Sequence, residues 1–242
     1  MQLLIYSRNR CSFACRSLAE KKGFDFHIPR NFLPNQLLEL NCDLGKGKLI
    51  YNQIFEEIPI TYYPEFHNVQ DNTLLKGFYQ CEKYFESHKK QVKKWFKLPS
   101  DTKSDYLYQD NICFIHFRGT DYLDSQWRLP KDYYLRAMNI IRKQEPQIKF
   151  IFLTDDPINC KNIFPGENIQ MNSVLTDFKL LTMAKYLIVV NSSFSWWVTY
   201  LNENAKLIIG PEDWLNYNHY YDKQITGFVP ENCKQNKITY IR

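Results

Sequence analysis

Between residues 111 and 210, short apolar runs alternate with longer amphipathic stretches. That alternation restricts the chain more than any other feature. NICFIHF (111–117), KFIFLT (149–154), YLIVV (186–190) and AKLIIG (205–210) are strand-sized. KDYYLRAMNIIRKQ (131–144), FKLLTMA (178–184) and SFSWWVTYLN (193–202) are expected as helices between them. Strands that alternate with helices imply a parallel sheet covered on both faces, an α/β fold.

The first hundred residues begin in the same manner. LLIY (3–6) is expected as a strand. Cys11 to Lys22 follows as a helix that places Phe13, Ala14, Leu18 and Ala19 on one face and stops at Gly23. FDFHI (24–28) is the next strand. From 29 to 73 the pattern is broken by Pro29, Pro34, Pro59 and Pro64, and LIYNQIF fits a strand or a short helix. LLKGFY (74–79) reads as a strand, and QCEKYFESHKKQVKKWFKLP as one helix with a stripe of Tyr84, Phe85, Val92, Trp95 and Phe96. Its lysines fall in the second half, where they suit the helix dipole. Ser100 to Asp110 is polar and is the expected linker between two α/β domains, residues 1–100 and 101–242.

Composition excludes several classes. Seven cysteines are an odd number, none forms a CxxC pair, and several, such as Cys113, sit in apolar runs. They read as core thiols of a protein kept in a reducing compartment. Cys11 and Cys15 lie one helical turn apart, but the sequence supplies no two further ligands for a metal. The net charge of +5 suits an anionic substrate or a negatively charged membrane surface, and nucleic acid is not expected as the partner. MQLLIYS is too short before Arg8 and Arg10 to be a signal peptide or a membrane span. A cytoplasmic location follows as the expectation, with peripheral contact at the inner membrane surface.

In a parallel sheet, ligands bind beyond the carboxyl ends of the strands. Four turns qualify: HFRGTD, TDD, NSSFS and GPEDW. His116 and Arg118 are two apart and point to one side, a histidine for a base edge or phosphate and a planar fork for phosphate. Asp121 follows them, and a surface salt bridge from Arg118 to a carboxylate is the alternative use. In NSSFS, Ser192 or Ser193 would cap the next helix, whose free N–H groups form an anion site. Trp196 and Trp197 would pack that helix onto the sheet. Neither GxxxxGK[ST] nor GxGxxG occurs, so this would be a phosphate site without a P-loop. Asp177, placed just ahead of a helix, would cap it or accept hydrogen bonds from a guanine or ribose. Asp155 and Asp156 end a strand and fit hydrogen bonds to loop N–H groups better than a metal. HExxH and GxSxG are missing, and no Cys/His pair can be placed.

HFRGTDYL, FLTDD and DFKLLTMAKYLIVVNSSFSWWVTYLN together resemble the successive donor-site motifs of family 11 glycosyltransferases, the α-1,2-fucosyltransferases. LLKGFYQCEKYF is similar to that family's G-[YF]-[WFY]-Q-x-E-K-Y-F segment, and GPEDW echoes its APxxW, over about residues 74–214 in the family's order. The resemblance implies a GT-B-like fold of two facing Rossmann-like domains, a reduced acceptor-side domain first and a nucleotide-sugar-binding domain second. It implies that His116 contacts guanine, that Arg118 binds pyrophosphate and that Ser193 takes a phosphate oxygen. Asp177, sixteen residues before Ser193, would read guanine. Asp155 and Ser192 join the donor site. The implied reaction is inverting transfer of L-fucose from GDP-fucose to a glycan or lipid-linked oligosaccharide, as in polysaccharide or O-antigen biosynthesis. It has no metal cofactor, and Asp121 or Asp124 would be the nearby base. Two departures stand out: Gly119 replaces the second arginine of HxRRxD, and YSRNRCSF stands where the family has GGLGNQ. Gly119 reads as a lost positive charge, with Arg8 or Arg10 as candidates to replace it. A different nucleotide-sugar donor, or a non-catalytic nucleotide- or glycan-binding role, are the alternatives.

Overall fold

The computed structural model describes residues 2–5, 11–27, 51–57, 62–77, 79, 81–96, 110–122, 125, 127–212 and 238–241. They fall into two compact units, one within Met1–Leu98 and the other within Pro99–Tyr221 and Pro230–Arg242. Each unit carries its own wholly parallel sheet.

In the first unit, β1 (Gln2–Ile5), β2 (Asp25–His27), β3 (Gln53–Glu56) and β4 (Thr73–Lys76) lie in the order β2-β1-β4-β3. Helix α1 (Cys11–Lys22) buries Phe13, Ala14, Leu18 and Ala19, as its spacing predicts. Gly23 ends it at φ 67°, and the N–H of Phe24 donates to the Ala19 carbonyl at 2.9 Å. This left-handed cap satisfies a carbonyl that the last turn leaves without a partner. Of the ambiguous LIYNQIF, Gln53 to Phe55 belong to β3, whereas Leu49 and Ile50 lie outside the described residues. The helix expected over 80–99 is instead a 3₁₀ segment (Glu82–His88) followed by α2 (Lys89–Trp95). The break falls at Phe85, whose φ of −133° and ψ of 22° are not helical. It lets two consecutive aromatics be buried, with the Tyr84 ring 4.8 Å from Phe66 and 5.0 Å from Tyr79. The linker expected at Ser100–Asp110 lies outside the described residues except for Asp110.

The second unit holds β5 (Ile112–Phe117), α3 (Lys131–Gln144), β6 (Lys149–Thr154), α4 (Pro157–Ile163), β7 (Asn168–Gln170), α5 (Val174–Met183), β8 (Tyr186–Ile188), α6 (Ser193–Leu201), β9 (Leu207–Pro211) and β10 (Ile238–Ile241). Its strand order is β10-β9-β8-β5-β6-β7. Counted in chain order from the β7 edge, this is the doubly wound arrangement 3-2-1-4-5-6 of dinucleotide-binding folds. The direction of winding reverses between β5 and β8, the place in such sheets where ligands bind beyond the carboxyl ends of the strands.

Every residue of β5 is buried, as befits a strand with helices on both faces. Cys113, Ile115 and Phe117 enter an apolar cluster with Tyr133, Tyr134 and Met138 of α3 and with Phe164. Period-two alternation sends Phe114 and His116 to the other face. On that side α5 meets α6 through Phe178 and Phe194, whose rings are 5.4 Å apart. The paired tryptophans belong to this layer: Trp196 stacks on Tyr200 at 5.3 Å, and Trp197 meets Trp196 edge-on at 4.8 Å. Both are buried and hold α6 in place. At its far end, Asn202 donates to the carbonyls of Leu181 and Ala184, each at 2.9 Å, tying α6 to α5.

The start of α5 requires a correction. The helix begins at Val174, with Ser173 as its cap accepting from the Thr176 N–H at 3.1 Å. Asp177 therefore lies inside the first turn and does not cap it. Among the described residues no helix is long and apolar enough to cross a membrane.

Candidate functional site

Three turns meet at the carboxyl ends of β5, β6 and β8. The buried part begins with His116, 8% exposed, whose Nδ1 lies 2.7 Å from Ser195 Oγ. That hydroxyl also accepts the Val190 N–H at 3.2 Å. The Ser195 N–H in turn donates to Ser192 Oγ at 3.1 Å, which makes Ser192 the cap of α6. Capping uses the third N–H of the helix. The N–H groups of Ser193 and Phe194 have no backbone acceptor among the described residues. Two donors at the positive end of a helix form an anion site.

The imidazole is flanked by Phe194, 5.0 Å away. Burial, and secondarily the Arg118 charge, lower the His116 pKa to about 4 against an opposing pull from Asp155. His116 is thus a neutral ring at pH 7 with a choice of tautomers. Asn191, at the head of the same turn, donates through Nδ2 to the Trp127 carbonyl at 2.9 Å. Its own carbonyl accepts Tyr122 Oη at 3.0 Å, while its buried Oδ1 has no partner among the described residues.

The second part is more open. Arg118 Nε pairs with Asp121 Oδ1 at 2.9 Å, and its Nη1 with Asp155 Oδ2 at 2.6 Å. Asp155 also accepts the Gly119 N–H at 2.8 Å and the Thr120 hydroxyl at 2.9 Å. A strand-end carboxylate here ties the RGTD turn to β6 through loop donors. Asp156 caps α4, accepting from the Asn159 N–H at 3.2 Å. Gly119 approaches that cap so closely that an added Cβ would lie 2.2 Å from Asp156 Cβ. Reading Gly119 as a lost charge is therefore incomplete. The Asp156 side chain crowds this position, so an arginine here would require the turn or Asp156 to shift.

Asp177 is partly buried, which raises its pKa to about 6 against an opposing hydrogen bond from Asn172 Nδ2 at 2.9 Å. Its Oδ2 has no partner among the described residues. Asp124, Arg8, Arg10 and the Asp213–Trp214 part of GPEDW lie outside the described residues. The structure brings His116, Arg118, Asp155, Ser192 and Ser193 to neighbouring strand ends. Ser195, Phe194 and Asn191 are additions that sequence reasoning missed. None of the three carried a local signal, since each is placed by contacts that the fold makes. Together these groups offer N–H donors, a cationic fork and a neutral imidazole beside an aromatic ring, the functions an anionic ligand with a flat heterocycle requires.

Residues 62–231 match the sequence profile of the family described as Glycosyl transferase family 11. The chain is 30% identical over 159 residues to an Escherichia coli alpha-1,2-colitosyltransferase, covering 57% of this chain and 55% of that one. It is 24% identical over 191 residues to the Escherichia coli O-antigen biosynthesis glycosyltransferase WbnK, covering 67% of this chain and 63% of that one. The matched stretch thus spans less than two thirds of either relative. In fold, the chain resembles Escherichia coli heptosyltransferase WaaC solved with ADP, with a TM-score of 0.50 at 10% identity over 100% of this chain and 94% of that one. That likeness and the two parallel sheets give a GT-B-like α/β fold. With the family profile matched over most of its length, the chain belongs to glycosyl transferase family 11.

Proposed function

We propose that this chain is an inverting glycosyltransferase that moves L-fucose from GDP-fucose to a hydroxyl of a glycan or lipid-linked oligosaccharide, in α-1,2 linkage. The observation that carries the reading is the convergence of His116, Arg118 and the capped start of α6 at the β5/β8 reversal. His116 and Asp177 receive guanine. Arg118, Ser193 and the N–H groups of Ser193 and Phe194 receive the pyrophosphate, with Ser192 and Asp155 holding those groups in place. The acceptor oxygen attacks the anomeric carbon as the bond to the β-phosphate oxygen breaks. The acceptor's proton passes to Asp121 or Asp124, and charge accumulates on departing GDP. Preorganised donors at that oxygen stabilise the transition state more than the ground state.

Arg118 is already held by two carboxylates, so arriving pyrophosphate competes with them. The Asp121 pair yields first, because Asp121 is 61% exposed and an exposed ion pair contributes little. Releasing it frees a carboxylate beside the reacting centre. No step in this scheme calls for a metal ion. The +5 charge suits an acceptor presented at an anionic inner membrane surface.

A second reading keeps the reaction and changes the sugar. One relative is named a colitosyltransferase, and Gly119 alters the turn nearest the sugar phosphate, so a colitosyl donor is the alternative. The test is release of GDP from GDP-fucose by purified protein, with and without galactoside acceptors and beside a colitosyl donor. Acceptor-stimulated GDP release from GDP-fucose supports the proposal. Release from the colitosyl donor alone reassigns the sugar, and GDP binding without turnover of either donor overturns the catalytic reading.

A further inference from the structure

We infer that Ser195 is a positioning residue that fixes His116 as its Nε2–H tautomer, so that the site offers a proton donor to the O6 and N7 edge of guanine and disfavours adenine. The inference rests on the proposed guanine-nucleotide site and adds to it the origin of base selectivity.

Three buried polar groups meet: the Val190 N–H, the Ser195 hydroxyl and His116 Nδ1. Ser195 is 0% exposed. A serine hydroxyl has one proton to donate and two lone pairs to accept with. The Val190 N–H is an obligate donor and occupies one lone pair. If Nδ1 carried the imidazole proton, it would occupy the other. The hydroxyl proton would then have no acceptor among the described residues, and a buried donor left unmade costs its full desolvation penalty. If the hydroxyl donates to an unprotonated Nδ1, all three groups are satisfied. The imidazole proton then resides on Nε2, the ring nitrogen that does not face Ser195. A doubly protonated ring would face the same orphaned hydroxyl. The lowered His116 pKa, produced first by burial and then by Arg118 with Asp155 opposing, agrees with the neutral form.

The tautomer has a chemical consequence. Guanine presents two acceptors on this edge, N7 and O6, whereas adenine presents N7 beside the N6 amino donor. An Nε2–H donor complements guanine at both positions and opposes the adenine amino group. The other tautomer would reverse that preference.

The decisive measurement is a two-bond ¹⁵N–¹H correlation spectrum of the histidine-labelled full chain without nucleotide. The His116 signals are assigned by their loss in His116→Gln. The expected result is an unprotonated Nδ1 and a protonated Nε2. An Nδ1–H ring, or rapid exchange between tautomers, overturns the inference whatever the protein binds. In Ser195→Ala the tautomers are expected to mix and the preference for GDP over ADP to fall by about tenfold or more. Ser195→Thr, which keeps the hydroxyl, is expected to restore both. An unchanged tautomer in a folded Ser195→Ala variant also overturns it, and should that variant not fold, the wild-type spectrum decides. A wild-type protein with the expected tautomer that binds ADP as tightly as GDP overturns the selectivity assigned to it. One that binds neither overturns the nucleotide reading on which that selectivity rests.

Discussion

The NSSFS turn and the RGTD turn end neighbouring strands of one sheet, yet they are held by opposite means. The first is a buried lattice of neutral hydrogen bonds from Ser192 to Ser195, Val190 and His116, backed by the stacked Trp196 and Tyr200. The second is a charged arrangement in which Arg118 is shared by Asp121 and Asp155 near the surface. Buried neutral groups lock one geometry, because any partner lost there leaves an unmade hydrogen bond. Exposed ion pairs exchange partners at little cost. The first turn thus holds a single geometry, which the proposed function uses for a base and a phosphate, and the second can re-pair as charge arrives and leaves.

Four substitutions sharpen or break that contrast. Trp196→Ala should have the largest effect, lowering unfolding free energy by about 3–5 kcal/mol through loss of a fully buried aromatic. A denaturant titration measures it, and a loss under about 1 kcal/mol would show that the turn is not held by its packing. Gly119→Ala tests the close approach of the open turn to Asp156. Its Cβ meets Asp156, so a loss of about 1–3 kcal/mol is expected from the same titration. An unchanged midpoint would mean that the RGTD turn shifts freely.

Asp177 supplies a pH test. Its raised pKa of about 6 means that its carboxylate loses its charge progressively as pH falls through that value. A carboxylate that accepts from guanine should lose GDP affinity as pH falls, by about tenfold from about pH 7.5 to about pH 5. His116, lowered to about 4, stays neutral through most of this range. The terminal phosphate of GDP titrates in the same window, so Asp177→Asn is the necessary control. It should bind more weakly at neutral pH and show the smaller pH dependence. The smallest effect is expected for Asp121→Asn, which should change stability by about 0–1 kcal/mol because its ion pair is exposed. Turnover with GDP-fucose separates its roles: a large fall in kcat with GDP affinity kept supports a base, and unchanged kcat assigns that part to Asp124.

Much of the second unit was legible in the chain. The strands β5 and β6 and the helix α3 fall where continuous apolar runs and a helical period place them. Nearby, α4 and β7 escaped notice because they are short, although Asp156-Pro157 is a cap followed by proline at the first helical position. Ser173 ahead of Val174 and Leu175 likewise marks the true start of α5. The segment from Glu82 to Trp95 was not legible in this way. Its aromatic spacing suits one helix, and the break at Phe85 depends on the rings of Phe66 and Tyr79 around Tyr84. Within the site, His116 and Arg118 followed from strand alternation, and the serine cap from its place before a helix. Ser195 did not, since a third serine acquires meaning only when the fold sets it against His116, 79 residues earlier. Gly119 shows the same limit, because the crowding by Asp156 comes from a different strand end.

The central claim is that this half of the molecule binds the guanosine diphosphate end of a sugar donor. Calorimetric titration of the intact protein with GDP, UDP and dTDP, with and without magnesium, tests it most directly. The account predicts GDP-selective binding that is unchanged by magnesium and weakened by about 1.5–3 kcal/mol in Arg118→Ala, as for loss of a charged hydrogen-bond partner. Equal affinity for the three nucleotides, or an Arg118→Ala variant that binds GDP as the wild type does, would contradict it.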